Sequence, residues 1–407
     1  MSEPIAPVLN AAEGLRHGDA RWLHSALAEG RTTTLRLFAA LRAELPASME
    51  IRYAPELNPP RWELGHVAWF EERWLARNPE RLRGAAADPD VGLGASALPQ
   101  ADALYNSSRV PHARRWHLDL PDADATLHYA ARVRERSLAL LDATRDNDDA
   151  LFFFRWALAH EDMHAEAAVY MAQHLALPIT AVLPRTGPAA GPDGELGLSG
   201  GEMVLGHRGP GFHFDNEGGQ RPLTLAPFSI DRAPVSWARF RPFIEAGGYD
   251  DPQWWSEPGR AWRQPHSSGR PRHLVQEDGR WQRACFGQWV AMADDEPVMH
   301  LTQHEAQAWC RWAGRRLPTE AEWQHAAETA DDFAWGEVWE WTASPFEPWQ
   351  GFTPHPYRDY SMPWFDGRPV LRGGSFATPA RMKHPHYRNY FPADRNDLFA
   401  GFRSCAA

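Results

Sequence analysis

The sequence predicts an α+β protein of two domains, and three observations support this fold class. The length of 407 residues exceeds what one hydrophobic core usually serves. Residues 10–176 carry apolar side chains at three- and four-residue spacing, which is typical of amphipathic helices. Residues 177–198 are rich in Pro and Gly, and residues 199–407 consist of short β-like runs between turns. We therefore expect a helical domain, a linker at 177–198 and a mixed second domain.

Four segments of the first domain show the helical spacing. They are RWLHSALAEGRTTTLRLFAAL, LGHVAWFEERWLA, ATLHYAARVRERSLALLDAT and DALFFFRWALAHEDMHAEAAVYMAQHLAL. Four amphipathic helices with short connections are most simply arranged as an up-down four-helix bundle. Asp148 or Asp149 is predicted to cap the last helix, because a carboxylate can accept from the free N–H groups of a first turn.

The second domain contains one clear helix, in LTQHEAQAWCRWAGRR. Gly314 and then Pro318 follow its last apolar positions, an order typical of a helix end. Most of the 20 tryptophans lie after residue 60, many beside Gly, Pro or Arg. Such large aromatic side chains in turn-rich sequence indicate irregular packing rather than long regular elements.

Charge, hydropathy and cysteine usage narrow the class of function. The formal net charge is −11 without a basic run, which argues against nucleic-acid binding. No window approaches the roughly 20 unbroken apolar residues of a membrane-spanning helix. The first residues lack the pattern of a secretory signal, and Cys285, Cys310 and Cys405 fit no disulfide framework. We expect a soluble, cytoplasmic protein with reduced thiols that acts on small molecules.

His160 and His164, in the motif HEDMH, indicate a metal site. They are four residues apart on a predicted helix, so both imidazoles project from one face toward a shared point. The pattern H-E-x-x-H also occurs in zinc proteases, where the glutamate, here Glu161, is the general base. A pair of core or solvated histidines on an amphipathic helix would have the same spacing.

His66 supplies a third imidazole from an earlier helix. Its apolar neighbours Val67 and Ala68 indicate that it faces the bundle interior, where a core histidine would also lie. Three neutral nitrogens on one side of a metal leave the opposite side open, as an O2-activating Fe(II) centre requires. Zinc could use the same ligands for hydrolysis, so the residues alone leave the metal open. Glu166 or Asp162 could fix the tautomer of an imidazole.

Longer motifs in both halves resemble the ergothioneine sulfoxide synthases, EgtB, and their selenium-handling relatives, the selenoneine synthases, SenA. In the first half, LGH and HEDMHAE resemble the metal motifs of a DinB-like four-helix bundle. In the second half, four motifs resemble a domain like the formylglycine-generating enzymes, with a C-type-lectin-like fold. These motifs are GRRLPTEAEW, VWEWTASPF, VLRGGSFAT and YRNYFP…FAGFR. The resemblance covers nearly the whole chain.

This resemblance implies an Fe(II) enzyme that uses O2 to join a sulfur or selenium donor to the imidazole C2 of hercynine, N-α-trimethylhistidine. The three histidines would hold the iron, and the second domain would complete the substrate pocket. Tyr357, in the segment PYRDY, would donate a proton near the iron, with Tyr360 beside it.

The same resemblance implies four substrate-binding positions. Asn389 and Tyr390 would line the hercynine site, where aromatic rings can hold a quaternary ammonium group. Arg395 matches an arginine that holds the carboxylate of a sulfur donor in some members. Arg109 lies in ALYNSSRVPHARRWHLDLP, which corresponds to a segment that supplies a donor-binding arginine.

Two residues depart from the EgtB pattern. Met163 stands where many members have a glutamine that contacts hercynine, and Phe391 stands where members that use γ-glutamylcysteine have an aspartate. Neither side chain can make those polar contacts, so the substrate contacts must differ. The segments LYNSSRV and RMKHPHYRNYFPADRNDLFAGFRSCA resemble the SenA branch, whose donor is a selenosugar, a neutral polyhydroxylated ligand.

The sequence therefore favours a selenoneine synthase that forms a C–Se bond on hercynine from a selenosugar. The same chemistry with cysteine or γ-glutamylcysteine would give a sulfoxide on the way to ergothioneine. A zinc-dependent hydrolase or thiol transferase of the DinB type, with Glu161 as base, is a third hypothesis. A sugar-binding, lectin-like module with the bundle as its scaffold is the non-enzymatic one.

Overall fold

The first domain is a helical bundle. The computed structural model describes residues 10–207, 209–264 and 269–407. The four long helices are those that the sequence predicts, and two short ones accompany them. The helices are α1 (Ala11–His17), α2 (Ala20–Glu44), α3 (Pro60–Trp74), α4 (Ala101–Tyr105), α5 (Ala123–Asp142) and α6 (Asp148–His174). Over the described part of the chain, the helices are too short or too polar to cross a membrane.

Helix α6 is capped by Asn147, so the prediction that Asp148 or Asp149 caps it is wrong. The Asn147 side chain accepts from the Ala150 N–H at 3.0 Å, and its backbone is extended. Asp148 and Asp149 lie inside the first turn, where their charges still favour the helix dipole. The three residues are adjacent and all can cap a helix, so only the backbone conformation decides between them.

A buried charge cluster joins the four long helices. Arg31 of α2, Glu71 of α3, Arg134 of α5 and Glu161 of α6 contribute one residue each, and their side chains are at most 7% exposed. Arg31 binds Glu71 at 2.8 Å and Glu161 at 2.7 Å, and Arg134 binds Glu71 at 2.8 Å and also reaches Glu161. Because each cation meets both carboxylates, the cluster sets the relative position of all four helices.

The second domain is built from short strands and short helices, which confirms the α+β prediction. Its helices are α7 (Trp237–Glu245), α8 (Glu257–Arg263), α9 (Gln303–Trp312) and α10 (Glu320–Thr329). Its strands are β1 (Glu195–Leu198), β2 (Gly201–Leu205), β3 (Arg221–Leu225), β4 (Phe228–Asp231), β5 (Leu274–Glu277), β6 (Arg280–Cys285), β7 (Gln288–Ala291), β8 (Arg315–Arg316), β9 (Trp339–Pro345), β10 (Pro369–Arg372), β11 (Asn389–Tyr390), β12 (Ala400–Gly401) and β13 (Cys405–Ala406).

The strands pair into two larger and two smaller sheets among the described residues. One larger sheet has the order β1-β4-β13-β8 and the other β11-β10-β9-β12. The smaller sheets are β2-β3 and β5-β6-β7. Helix α9 is the helix predicted from the sequence, and its first turn is closed by a capping box of Thr302 and Glu305. The three cysteines are buried and unpaired, in agreement with the sequence.

The predicted linker, 177–198, is too long at its C-terminal end. Strand β1 pairs antiparallel with β4, from Glu195 opposite Asp231 to Leu198 opposite Phe228. Residues 195–198 therefore belong to the second domain. The strand is four residues long and its partner follows about 30 residues later, so no local periodicity marks it.

The second domain packs on helix α6 of the bundle through a buried carboxylate. One oxygen of Glu166 accepts from the Trp339 indole at 2.8 Å, the Ser375 hydroxyl at 2.6 Å and the Thr378 hydroxyl at 2.8 Å. Three donors compensate for the burial of this charged group. The contact fixes the face of α6 that the second domain covers.

Two ion pairs between the domains add to this contact. Arg381 binds the buried Asp162 of α6 with both ends of its guanidinium, at 2.6 and 2.9 Å. Arg16 of α1 makes a bidentate pair with Glu217, with both distances 2.9 Å. Paired arginine forks restrict orientation as well as distance, so the second domain is held in one position over the bundle.

Candidate metal centre

Three histidines from two helices meet in the bundle. His66 of α3 and His160 and His164 of α6 each offer a ring nitrogen, and these nitrogens lie within 4.8 Å of one another. The Nε2 atoms of His160 and His164 are 3.2 Å apart. His66 and His160 are buried and His164 is half-buried. The structure thus brings together the three residues that the sequence predicts as metal ligands.

Hydrogen bonds behind two of the rings set their tautomers. His66 Nδ1–H donates to the Tyr105 carbonyl at 2.8 Å, which leaves Nε2 with a lone pair. His164 Nδ1 forms a hydrogen bond with the Glu63 carboxylate, so its Nε2 is also free of a proton when this bond is donated. A carboxylate or carbonyl behind an imidazole is the usual support of a metal-binding histidine.

Aromatic stacking restricts the rotation of the His66 and His160 rings. The Trp62 ring is parallel to His66, with centroids 4.6 Å apart and an interplanar angle of 11°. The Phe70 ring covers His160 at 3.7 Å and 6°. Flat contacts of this kind allow little ring rotation, so the nitrogens keep pointing toward the shared position.

Burial keeps the imidazoles of His66 and His160 neutral. It lowers the pKa of His66 to about 3 and that of His160 well below its usual range. Burial by itself raises the pKa of Glu63, but the neighbouring His164 outweighs it and lowers that pKa to about 2. The centre therefore combines the neutral imidazoles of His66 and His160 with one ionised carboxylate behind His164.

The donor set fits a divalent transition metal. The Nε2 atoms of His160 and His164 are 3.2 Å apart and a ring nitrogen of His66 lies within 4.8 Å of them, so all three can be ligands of one cation. Neutral imidazoles suit both iron and zinc, and three protein ligands leave further positions open. The donor set therefore agrees with a metal centre, and it does not distinguish iron from zinc.

The carboxylate that supports an imidazole is Glu63, and the prediction of Glu166 or Asp162 is wrong. Glu166 is held by donors of the second domain, and Asp162 is paired with Arg381. Both side chains project from a side of α6 that differs from the side carrying His164. A sequence signal for Glu63 exists, since it lies three residues before His66 and therefore on the same side of α3.

Glu161 does not face the histidines. It belongs to the buried charge cluster, where Arg31 and Arg134 bind it. Burial raises its pKa, but these two cations outweigh that effect and lower the pKa to about 2. A carboxylate with so little affinity for a proton, turned away from the metal ligands, is not placed to act as the general base of a zinc protease.

Tyr357 lies beside the histidine cluster. Its ring packs edge-on against Phe70 at 4.9 Å and lies 6.3 Å from the His160 ring, centroid to centroid. Burial is the main cause that raises the pKa of its hydroxyl to about 12, and a hydrogen bond with Ser107 opposes this shift. The hydroxyl is therefore protonated at neutral pH.

Tyr360 is one ring farther from the histidines. It packs against Trp156 at 4.8 Å and Phe214 at 5.1 Å, and its ring is 6.3 Å from that of Tyr357. Burial raises its pKa well above the usual value. Of the two tyrosines predicted from PYRDY, Tyr357 is thus the one in contact range of a metal ligand.

Tyr390 continues this row of aromatic rings away from the histidines. It stacks on Phe346 at 3.9 Å and 16°, and meets Tyr360 at 6.1 Å. Asn389, its neighbour in β11, accepts from the Tyr390 N–H at 2.9 Å. Within the described residues, no ring contact or hydrogen bond joins either side chain to the three histidines, so a role for them in binding stays a prediction.

Arg395 is already neutralised. Its guanidinium binds Asp397 at 2.6 and 2.7 Å and lies over the Phe391 ring at 4.9 Å. Asp397 is buried, whereas Phe391 is half-buried. Met163 is half-buried on α6, between the two metal ligands in sequence. Binding roles for these residues remain predictions.

Arg109 is exposed at the edge of a cavity of about 250 Å³. Trp69, Trp74 and Tyr357 also line this cavity, so it reaches the ring that borders His160. Carboxylates, hydroxyls and further cations complete the lining, among them Arg73, Asp90, Ser107, Ser108, Arg358 and Asp359. Aromatic faces together with many polar groups are typical of a small-molecule site.

Changing Glu63 to glutamine is expected to weaken metal binding about 10- to 100-fold, because the amide keeps the shape but cannot supply the ionised acceptor behind His164. Competition with a chelator measures this affinity. Glu80, which caps a surface turn near Asp88, supplies the matched control, Glu80→Gln. Equal affinities for the two variants would contradict a supporting role of Glu63.

The fold and the site together define a class of protein: a four-helix bundle with a three-histidine site, covered by a domain of short mixed sheets. Comparison with family models agrees with this division. Residues 26–168 match the DinB superfamily. Residues 181–337 and 331–407 match the sulfatase-modifying factor enzyme 1-like domain, FGE-sulfatase.

The chain belongs to the hercynine oxygenase family, also called EgtB-like. It is 36% identical to the hercynine oxygenase of Mycolicibacterium smegmatis, over 93% of this chain and 96% of the relative. It is 33% identical to that of Mycolicibacterium thermoresistibile, over 93% of both chains. It is 30% identical to the formylglycine-generating enzyme of Streptomyces coelicolor, over 44% of this chain and 64% of the relative.

Proposed function

We propose that this protein is an O2-dependent mononuclear Fe(II) enzyme that forms a C–Se bond at the imidazole C2 of hercynine, with a selenosugar as donor. The observation that carries the proposal is the set of three converging imidazoles beside Tyr357. The relatives named hercynine oxygenase support hercynine as one substrate and O2 as another.

His66, His160 and His164 are the residues that hold the iron in this proposal. Iron(II), when bound, supplies the activation of O2. The chain itself orients the ligands, through Glu63 and the Tyr105 carbonyl, and surrounds the centre with aromatic rings that limit the access of water. Preorganised ligands reduce the rearrangement that a reaction at the metal would otherwise require.

A row of rings next to the centre suits the trimethylammonium group of hercynine. Trp156, Tyr360, Tyr390 and Phe346 follow one another from the side of Tyr357 outward. Aromatic faces attract a quaternary ammonium ion that cannot donate hydrogen bonds. We assign hercynine to this row, with Asn389 as a polar contact at its outer end.

Tyr357 is the proposed proton donor, since its hydroxyl is protonated and its ring is near His160. Changing Tyr357 to phenylalanine is expected to lower kcat about 10²- to 10⁴-fold, because a positioned general acid contributes that much. Tyr360→Phe is the control, because this tyrosine lies farther from the histidines than Tyr357 does. We expect it to lower kcat less. Stopped-flow and steady-state rates measure both, and a larger effect at Tyr360 would contradict the assignment.

The neutral selenosugar is assigned to the cavity lined by Trp69, Trp74 and Tyr357. Indole rings and hydroxyl-rich surroundings suit a polyhydroxylated ring. Arg395 is paired with Asp397, so it has little charge left to offer a carboxylate. Phe391 likewise offers no charge to an ammonium group. These features support a donor without amino-acid charges.

A thiol donor, cysteine or γ-glutamylcysteine, is the second candidate, and Arg109 favours it. Within the described residues, this exposed cation borders the same cavity and makes no ion pair. A donor carboxylate could bind there. The product would be a sulfoxide formed on hercynine.

Arg109→Ala distinguishes these donors. With a selenosugar, kcat/KM is expected to change by less than about threefold, because an exposed cation adds little to the binding of a neutral ligand. With γ-glutamylcysteine, KM is expected to rise much more. Steady-state kinetics with both donors measure the difference, and Arg114→Ala, at an exposed arginine of the same segment, is the control.

The direct test uses protein loaded with Fe(II) without oxygen and then given hercynine, O2 and one donor at a time. Mass spectrometry of the products is expected to show C–Se bond formation from the selenosugar. Product from the thiol donors alone would overturn the selenium assignment. No product from any donor, or a reaction that zinc supports under argon, would overturn the proposal as a whole.

A further inference from the structure

Arg115 lies outside the metal centre but contacts the supports of two of its ligands. It lies in the short 3-10 helix His112–His117 and is half-buried. Its guanidinium carbon lies 4.1 Å from the centre of the Trp62 ring. Trp62 in turn stacks on His66 at 4.6 Å. One indole therefore connects Arg115 with the first metal ligand.

Hydrogen bonds connect Arg115 with a second ligand. Its Nη1–H donates to Asn58 Oδ1 at 2.7 Å, and Asn58 Nδ2–H donates to Glu63 Oε1 at 2.5 Å. The other oxygen of Glu63 binds His164 Nδ1. Both ends of the Asn58 amide are used, so its orientation is determined by its two partners.

Electrostatics favour the same arrangement. The half-buried Glu63 carboxylate lies behind His164, and Arg115 is a cation of opposite sign that Asn58 connects to it. Arg115 Nη2 also lies 3.5 Å from the Ser107 carbonyl, in the loop whose Ser107 hydroxyl bonds Tyr357. The guanidinium thus lies between the ligand supports and the loop that borders the cavity with Trp69 and Trp74.

We propose that Arg115 is a positioning residue of the metal centre, which holds His66 through Trp62 and His164 through Asn58 and Glu63. The inference requires one part of the proposed function, namely that a metal binds to these three histidines. A planar guanidinium can stack on an indole and donate in its own plane at once, whereas an ammonium group cannot do both. Lysine is therefore expected to replace Arg115 only in part.

The test measures Co(II) binding in the absence of substrates, by the visible spectrum of the bound ion and by competition with a chelator. Arg115→Met, which keeps much of the side-chain length, is expected to weaken Co(II) binding about 10- to 100-fold and to alter its spectrum. Arg115→Lys is expected to lie between this variant and the wild type. Arg114→Met is the matched control, because Arg114 is exposed and has no polar partner among the described residues.

A second variant separates positioning from folding. Asn58→Leu breaks the hydrogen-bond path but leaves Arg115 stacked on Trp62, and it is expected to weaken Co(II) binding less than Arg115→Met does. In the double variant the two losses are expected to be less than additive, because both act through Glu63. If Arg115→Met does not fold, Asn58→Leu and Arg115→Lys, compared with the wild type, decide the question.

The outcomes distinguish this inference from the proposed function. Wild-type affinity and spectrum in the Arg115 and Asn58 variants would overturn the inference and leave the proposed function standing. Weakened binding in these variants, together with a wild type that binds metal but converts no hercynine, would overturn the proposed function alone. A wild-type protein that binds no Co(II) or Fe(II) would overturn both.

Discussion

Replacing His160 with alanine is expected to abolish stable metal binding and to lower the rate with hercynine by about a thousandfold or more, since a bound metal contributes several kcal/mol to a reaction at its centre. Three imidazoles offer their nitrogens in this site, and the carboxylate of Glu63 is bound to His164. Two remaining nitrogens hold a divalent ion far less tightly than three.

The measurement combines metal content after anaerobic loading with the rate of hercynine consumption. His164→Ala provides a second test, because His164 is half-buried and its truncation disturbs the core less than the loss of the Phe70–His160 stack. His128→Ala, at an exposed position on α5, is the control. Full metal content and undiminished hercynine consumption in both ligand variants would contradict the assignment of these histidines as metal ligands.

Replacing Arg134 with methionine is expected to lower the free energy of unfolding by about 3–5 kcal/mol, because it leaves two buried carboxylates with one cation. Glu71 and Glu161 would then share Arg31, and each side chain is almost completely buried. Denaturant unfolding, followed by tryptophan fluorescence, measures the loss. Arg132→Met, on the exposed face of α5, is the control and is expected to change little.

A double variant tests whether the unpaired carboxylate causes the loss of stability in Arg134→Met. Arg134→Met combined with Glu71→Leu leaves the Arg31–Glu161 pair at 2.7 Å with balanced charges. We expect it to be more stable than Arg134→Met alone, because the cost arises from the unpaired carboxylate rather than from the lost contact. If the double variant is the less stable of the two, packing rather than charge balance dominates this part of the core.

Acid also weakens this cluster, through Glu161. Its pKa is lowered to about 2 by Arg31 and Arg134, although burial opposes this, whereas the unfolded value is near 4.5. The folded state therefore binds fewer protons in this range, and the stability from this carboxylate is complete above pH 4.5. That contribution is lost as the pH falls from about 4.5 toward 2, where both states become protonated.

Much of the centre could be predicted from local pattern. A spacing of four residues on a helix places His160 and His164 on one side, whatever the rest of the fold. The apolar neighbours of His66 placed it inside the bundle, and the motifs of the second half identified the second domain. The partners of these residues were harder to predict. Asp162 and Glu166 lie on α6 near the ligands in sequence, yet their side chains bind the second domain.

The three histidines and the two-domain class are thus determined by the sequence itself, because helix periodicity and long motifs act over short stretches of chain. Only the tertiary structure decided that Glu63 supports His164, that Tyr357 rather than Tyr360 borders His160, and that Arg115 reaches both ligand supports. These contacts join segments that are far apart in sequence. Their distances depend on how the helices and the second domain pack, which no local spacing specifies.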